Sequence, residues 1–151
     1  MQPHTIICGR QSYGRECAEC PVHQLYDHFR DRPPDIVLKE IGRIFKLAAR
    51  SHDIISRNGG DEFTIILVDC SLKQAINVSE RIRGAVEAYE FKMSETEYVN
   101  ITVSIGIASL PETAREQNLL LRQADEALYQ AKRSGRNRIV VAAQQTVLMR
   151  P

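Results

Sequence analysis

Apolar residues recur along the middle of the chain with a helical period in three segments. After Pro33-Pro34, a helix is predicted from about residue 35 to residue 50, because its apolar positions follow the three-and-four spacing of one buried stripe. Residues 72–89 have the same spacing, and Ser71 precedes them as a cap. A third helix is predicted over residues 115–133, and Gly135 can end it in a left-handed conformation.

Strands are predicted between these helices. Two β-rich runs, residues 54–57 and 63–68, flank the turn sequence Asn58-Gly59-Gly60-Asp61, which predicts a hairpin. Alternate apolar residues from 99 to 108 predict one further strand, and residues 138–141 a last one. This order of elements indicates an α/β domain in which helices cover a central sheet.

Composition and charge narrow the class of protein. The chain has 151 residues, of which 43% are hydrophobic and 26% charged, as expected for one globular domain. The net charge of +1 creates no field that would attract nucleic acid, so no nucleic-acid partner is predicted. No apolar run approaches the roughly 18 residues of a membrane span, and the N-terminus has no signal-peptide pattern, so a cytoplasmic protein is expected.

The hairpin turn carries the first candidate chemistry. Gly59 and Gly60 allow a ligand to approach the backbone, and the adjacent acids Asp61 and Glu62 can hold Mg²⁺ against phosphate oxygens. On the residues alone, the alternative is a tight turn with solvated acids.

Four stretches of sequence together resemble the GGDEF domain of the diguanylate cyclase family. The resemblance covers residues 34–142. Its four motifs are Arg57-Asn58-Gly59-Gly60-Asp61-Glu62-Phe63, then Ile101-Thr102-Val103-Ser104-Ile105-Gly106-Ile107-Ala108, then Ala124-Asp125-Glu126-Ala127-Leu128-Tyr129-Gln130-Ala131-Lys132, and Ser134-Gly135-Arg136-Asn137-Arg138. Resemblance to this family implies a mostly antiparallel central sheet covered by helices, and an enzyme that condenses two GTP into cyclic di-GMP and two pyrophosphates across a homodimer.

The resemblance also implies a role for each matching residue. Asp61 and Glu62 are the implied catalytic acids and Mg²⁺ ligands, and Gly59 and Gly60 form the backbone lip beside the nucleotide. Lys132 and Arg136 match the phosphate-binding cations, and Asp35 matches the acid that recognises guanine. Without the resemblance, the cations would be favourable charges at a helix C-terminus, and Asp35 would be a helix N-cap.

A second site is implied upstream of the hairpin. Arg50-Ser51-His52-Asp53 is separated from Gly59 by five residues, as is the family's RxxD inhibitory site for cyclic di-GMP. An arginine can contact a phosphate or a guanine edge and stack on a base. The alternative for Arg50 and Asp53 is a surface ion pair at a helix end.

The chain departs from the family before residue 34. Family members have a first strand that ends in a metal-binding Asp, and this strand is predicted to be missing or replaced. In the nearest register the metal-binding Asp falls at Leu25, and Asp27 is a candidate substitute. A catalytically degenerate domain that acts as a cyclic di-GMP or GTP receptor is therefore the alternative to an active cyclase.

Residues 1–33 are predicted to be a separate N-terminal extension, and residues 143–151 a tail. Cys17-Ala18-Glu19-Cys20-Pro21 resembles the Cys-x-x-Cys-Pro segment of some PAS-type sensors that precede GGDEF domains. Cys8, Cys17, Cys20 and His23 are candidate Zn²⁺ ligands, with reduced surface thiols as the alternative. Cys70, alone after an apolar run, is predicted to be a reduced thiol in or near the core.

Overall fold

The structure is a computed structural model. It describes residues 35–96 and 98–144, and for residues 4–11 it describes the backbone only. The helices are α1 (Asp35–Ala48), α2 (Leu72–Glu87) and α3 (Gln117–Arg133). The strands are β1 (His4–Gln11), β2 (Ile54–Gly59), β3 (Glu62–Val68), β4 (Glu90–Lys92), β5 (Tyr98–Asn100), β6 (Val103–Leu110) and β7 (Ile139–Val141). The three predicted helices are confirmed, although α3 begins at Gln117 rather than at residue 115.

The main sheet has five strands in the order β2-β3-β1-β6-β7. Every pair of neighbours is antiparallel except β6 and β7. The predicted α/β fold with a mostly antiparallel central sheet is therefore confirmed. The first-strand position, predicted to be missing or replaced, is occupied: His4–Gln11 pairs with β3 on one side and β6 on the other.

The single strand predicted over residues 99–108 is wrong, because the structure divides it. Tyr98–Asn100 pairs with β4 in a separate two-stranded sheet, and β6 starts at Val103. All eight residues of β6 are buried, including Ser104 and Ser109. The alternating pattern therefore does not mark a solvent-facing side, because both faces of β6 are covered.

Helices α1 and α2 supply much of the core together with β3 and β6. Each presents one apolar stripe, including Ile41 and Phe45 of α1 and Ile82 and Val86 of α2. Ser71 caps α2 in a reciprocal capping box with Gln74, which confirms the predicted start. Cys70 is a buried free cysteine, as predicted for a core thiol, and burial raises its pKa.

Glu112 links the start of α2 to the end of β6. One carboxylate oxygen accepts a hydrogen bond from the Leu72 N–H at 3.1 Å, and the other from the Ser109 hydroxyl at 2.8 Å. Burial alone would raise the pKa of Glu112, but these hydrogen bonds outweigh it and the net shift is downward. The ionised form of Glu112 therefore stabilises the fold.

Replacing Glu112 by glutamine is expected to lower the free energy of unfolding at pH 6 by about 1 kcal/mol. A carboxyl group whose folded pKa is lowered contributes stability above its unfolded pKa of about 4.3, and this contribution is lost as pH falls through the folded value. Urea unfolding at pH 6 and pH 3.5 should therefore show a smaller difference between the two proteins at the lower pH. A difference that stays constant with pH would contradict this role.

Candidate functional site

The hairpin between β2 and β3 closes through a two-residue turn, Gly60-Asp61. Gly59 pairs with Glu62 across the turn, and Gly60 has a φ of +53°, which glycine adopts without steric cost. The Arg57 side chain donates from Nε to the Gly60 carbonyl oxygen at 2.9 Å. These contacts fix the position of the two hairpin acids.

A cavity of about 710 Å³ lies between this hairpin and the C-terminal half of α3. Its lining residues are Glu62, Asp125, Leu128, Tyr129, Lys132, Arg133 and Arg136. Three of the predicted site residues, Glu62, Lys132 and Arg136, are thus brought together. Asp61 is not among the lining residues.

Sequence reasoning missed Asp125, Tyr129 and Arg133. Helical spacing would have found Asp125 and Tyr129, which lie seven and three residues before Lys132 and so share its side of α3. The Arg133 guanidinium lies 5.7 Å from the centre of the Tyr129 ring, a cation–π distance that places a further cation at this cavity.

The cavity lining suits an anionic ligand. Its three cations, Lys132, Arg133 and Arg136, outnumber its two acids, Glu62 and Asp125. Arginine and lysine side chains form strong charge-assisted hydrogen bonds to phosphate oxygens. An oligophosphate therefore fits the charge and the size of this cavity.

Asp35 lies in a different cavity of about 370 Å³, lined also by Leu38, Lys39 and Arg57. Arg57 belongs to β2, so both cavities border the same hairpin. The structure does not bring Asp35 into the cavity of Lys132 and Arg136.

Arg50 and Asp53 line a third cavity of about 590 Å³ near the end of α1. The Asp53 side chain is only 3% exposed. Its two oxygens accept hydrogen bonds from the Arg50 N–H at 2.7 Å and the Val68 N–H at 3.2 Å. In the part of the chain that the structure describes, no ion pair joins the Arg50 guanidinium to Asp53; the carboxylate instead holds the backbone that presents Arg50.

Among the described residues, the candidates predicted to hold a metal ion are the hairpin acids Asp61 and Glu62, and Asp125 lines the same cavity as Glu62. The strand β1 contains no acid, and Arg10 is the residue of β1 that pairs with Glu62. Among the side chains of residues 35–96 and 98–144, no group of three His, Cys, Asp or Glu residues is arranged to hold a metal. Mg²⁺ often takes one or two carboxylates together with phosphate oxygens and water, so the two hairpin acids fit an ion shared with a nucleotide.

Several predicted ligands lie outside the described residues. They are Asp27, the candidate substitute for the metal-binding Asp, and Cys17, Cys20 and His23 of the zinc hypothesis; Leu25, which stands at the position of the missing Asp, also lies outside them. Cys8 belongs to β1, whose side chains are also outside the description. Among the described helices, none is both long and apolar enough to cross a membrane.

Comparison with known proteins gives the family. The family model described as "Diguanylate cyclase, GGDEF domain" matches residues 24–138, and so begins before the predicted domain boundary at residue 34. Diguanylate cyclase A of Treponema denticola is 38% identical over 108 residues, which make up 72% of this chain and 29% of that protein. The chain therefore spans less than a third of that relative.

Solved structures agree with the sequence match. The GGDEF domain of YfiN (TpbB) from Pseudomonas aeruginosa superposes with a TM-score of 0.81 at 26% identity, covering 94% of this chain and 78% of that one. The GGDEF domain of DgcB from Caulobacter crescentus, in complex with c-di-GMP, superposes with a TM-score of 0.77 over 93% of this chain and 78% of its own, and at 23% identity it shows the fold alone. From the family match, the relative and the shared fold, the chain belongs to the GGDEF domain family of diguanylate cyclases.

Proposed function

We propose that this domain binds GTP with its triphosphate in the cavity of Glu62, Lys132 and Arg136, and condenses two GTP into cyclic di-GMP and two pyrophosphates. One observation supports this proposal: the hairpin acid Glu62 lines the same cavity as the cations of α3 and of the turn that follows it. An oligophosphate needs several fixed cations, which this cavity offers. We propose that the reaction takes place in the cytoplasm, because its substrate is GTP.

Each residue has a role that follows from its chemistry. Lys132 and Arg136 hold phosphate oxygens, and the hairpin backbone at Gly59 and Gly60 leaves room for the nucleotide. Asp61 and Glu62 would hold a divalent ion such as Mg²⁺, which offsets negative charge on the phosphates when bound. Asp61 assists removal of the proton from the attacking 3′-hydroxyl, and Asp35 reads the guanine edge.

The reaction requires two domains. A 3′-hydroxyl of one GTP must attack the α-phosphate of the other, and pyrophosphate leaves from each nucleotide. Because one cavity holds one triphosphate, the two substrates meet only when two copies face each other. We therefore propose a homodimer as the active form, in which the protein mainly positions the reactants.

The proposed activity is tested by incubating the purified protein with GTP and Mg²⁺ after bound cyclic di-GMP has been removed. The wild-type protein is expected to form cyclic di-GMP and pyrophosphate in a ratio of about one to two, as required by the stoichiometry of phosphoryl transfer. Asp61→Ala is expected to reduce the rate by at least about 100-fold, since it removes a metal ligand and the proposed base aid. Products would be separated by chromatography.

A control variant is Asp69→Asn, which removes the charge of an exposed acid just after the other end of β3; asparagine tolerates the φ of +48° at this position. It should leave the rate unchanged, because Asp69 follows Val68 at the end of β3 that lies away from the hairpin turn and its acids. Equal rates for the wild type and Asp61→Ala would refute the assigned role of Asp61.

A second candidate function is reception of cyclic di-GMP at the cavity of Arg50. Two observations favour it: the separate cavity of about 590 Å³ that Arg50 lines, and the absence of an acid from the described strand β1 beside the hairpin. In an active enzyme the same site would provide product inhibition. Binding of cyclic di-GMP without turnover of GTP would make reception the principal function.

A further inference from the structure

Two consecutive residues after α3 adopt a left-handed backbone conformation. Arg136 has a φ of +58° and Asn137 a φ of +45°. Asparagine tolerates this region better than most residues, whereas for arginine it is uncommon and strained. Such a turn persists only when surrounding contacts hold it.

The side chain of Asn137 makes those contacts with α2. Its Oδ1 accepts a hydrogen bond from Arg83 Nη1 at 3.0 Å, and its Nδ2 donates to Glu87 Oε1 at 2.7 Å. Arg83 Nη1 also donates to Glu87 Oε2 at 2.8 Å, so the three side chains form a closed ring of hydrogen bonds. We call Arg83, Glu87 and Asn137 the turn anchor.

Additional contacts reinforce the turn anchor. Arg83 donates from Nε to Glu80 at 3.0 Å, and its side chain is 22% exposed. The hydrogen bond from Asn137 is the largest cause of a lowered pKa at Glu87, followed by the bond from Arg83. Glu87 therefore stays ionised at neutral pH and remains an acceptor for both partners.

Hydrogen bonds hold the backbone of Arg136 at both its N–H and its carbonyl group. Its N–H donates to the Ala131 carbonyl at 3.0 Å, and its own carbonyl accepts from Arg138 Nε at 3.1 Å. The next residue, Asn137, is tied to α2. Arg136 lines the cavity. Contacts within the protein therefore hold the backbone that carries its guanidinium.

We propose that the turn anchor positions Arg136 for the phosphates of GTP, with Asn137 as the positioning residue that connects α2 to the cation. This inference rests on the proposed function, because it assigns the anchor a role in that same binding site. Arg83, Glu87 and Asn137 are not among the residues that line the cavity. Their effect is preorganisation, since ordering a flexible turn on binding would weaken affinity.

The variants are chosen so that the backbone is not strained. Asn137→Gly removes the amide bridge and leaves a residue that accepts a positive φ. Glu87→Ala removes both acceptor oxygens of α2, whereas Glu87→Gln keeps one of them, so its affinity should lie between those of Glu87→Ala and the wild type. Lys73→Gln removes an exposed cation from the far end of α2 and serves as the control.

Binding of 3′-deoxy-GTP with Mg²⁺ would be measured by calorimetry, because this analogue cannot be condensed. Asn137→Gly and Glu87→Ala are expected to bind about five- to tenfold more weakly than the wild type, the loss typical of one ordered contact. Arg136→Ala should bind at least about tenfold more weakly. Adding Asn137→Gly to Arg136→Ala should cause no further loss, because a residue that acts through Arg136 has nothing left to position.

A second measurement does not depend on nucleotide. Trypsin cleavage after Arg136 should be faster in Glu87→Ala, which breaks the anchor and leaves the sequence of the turn unchanged, than in the wild type and in Lys73→Gln. Wild-type binding that Asn137→Gly leaves unchanged, or losses that add in the double variant, would overturn the positioning role alone. Absence of binding by the wild type would overturn the proposed function and this role with it, and the trypsin result would still show whether the anchor holds the turn.

Discussion

Replacing Gly106 by alanine is expected to destabilise the protein by about 3 kcal/mol or more, the cost of overpacking a rigid contact. A methyl group at Gly106 of β6 would lie 2.8 Å from Leu128 Cα and closer still to Leu128 N and the Ala124 carbonyl oxygen. These are backbone atoms of α3, so no side chain can turn aside. The whole helix would have to move away from the sheet.

This displacement would also reach the candidate site, because α3 carries Lys132 and most of the other side chains that line the cavity. Gly106→Ala is therefore expected to weaken GTP binding even in molecules that stay folded. Urea unfolding followed by circular dichroism measures the stability, and binding of 3′-deoxy-GTP at low temperature measures the site.

Gly84→Ala is the matched control for Gly106→Ala. Gly84 lies in α2, and a methyl group there would have no heavy atom within 4 Å. Alanine forms helix better than glycine, so this variant should be more stable than the wild type by about 0.5–1 kcal/mol. If the two substitutions changed stability by similar amounts, close packing of α3 on β6 would not be the reason for glycine at position 106.

The helices were predictable because each buries a single stripe, and the hairpin because its turn residues are specific to that geometry. The division between β5 and β6 was not predictable. The alternating pattern continues through Ile101, and only tertiary contacts bury Ser104 and Ser109 within β6. The role of β1 could not be predicted either, since pairing with β3 and β6 joins residues that are far apart in sequence.

The family resemblance indicated part of the candidate site, although its residues belong to three separate motifs. Glu62, Lys132 and Arg136 came from motifs that the family shares, and they do line one cavity. The bridge of Asn137 to Arg83 spans 54 residues, so no local pattern indicates it. The contacts of Asp53 could not be predicted from local sequence either. Its spacing from Arg50 indicates an ion pair or a ligand contact, whereas in the structure its oxygens accept hydrogen bonds from two backbone N–H groups.

Replacing Asp53 by alanine is therefore expected to destabilise the fold by about 2–4 kcal/mol, because two N–H groups lose a buried charged acceptor. Arg50→Ala should change stability by less than about 0.5 kcal/mol, as expected for an exposed side chain. Urea unfolding of both variants measures this difference.

Binding of cyclic di-GMP separates the two roles further. Arg50→Ala should abolish binding in a protein of normal stability, because it removes the guanidinium that would contact phosphate or guanine. Asp53→Asn keeps one acceptor oxygen, so it should lose part of its stability and part of its affinity for cyclic di-GMP. Both losses have the same cause, because Asp53 holds the backbone of Arg50. Normal stability of Asp53→Ala with complete loss of cyclic di-GMP binding would instead make Asp53 a direct ligand contact. Because the Asp53 side chain is 3% exposed and both oxygens already have partners, such contact would require the turn between α1 and β2 to rearrange when the ligand binds.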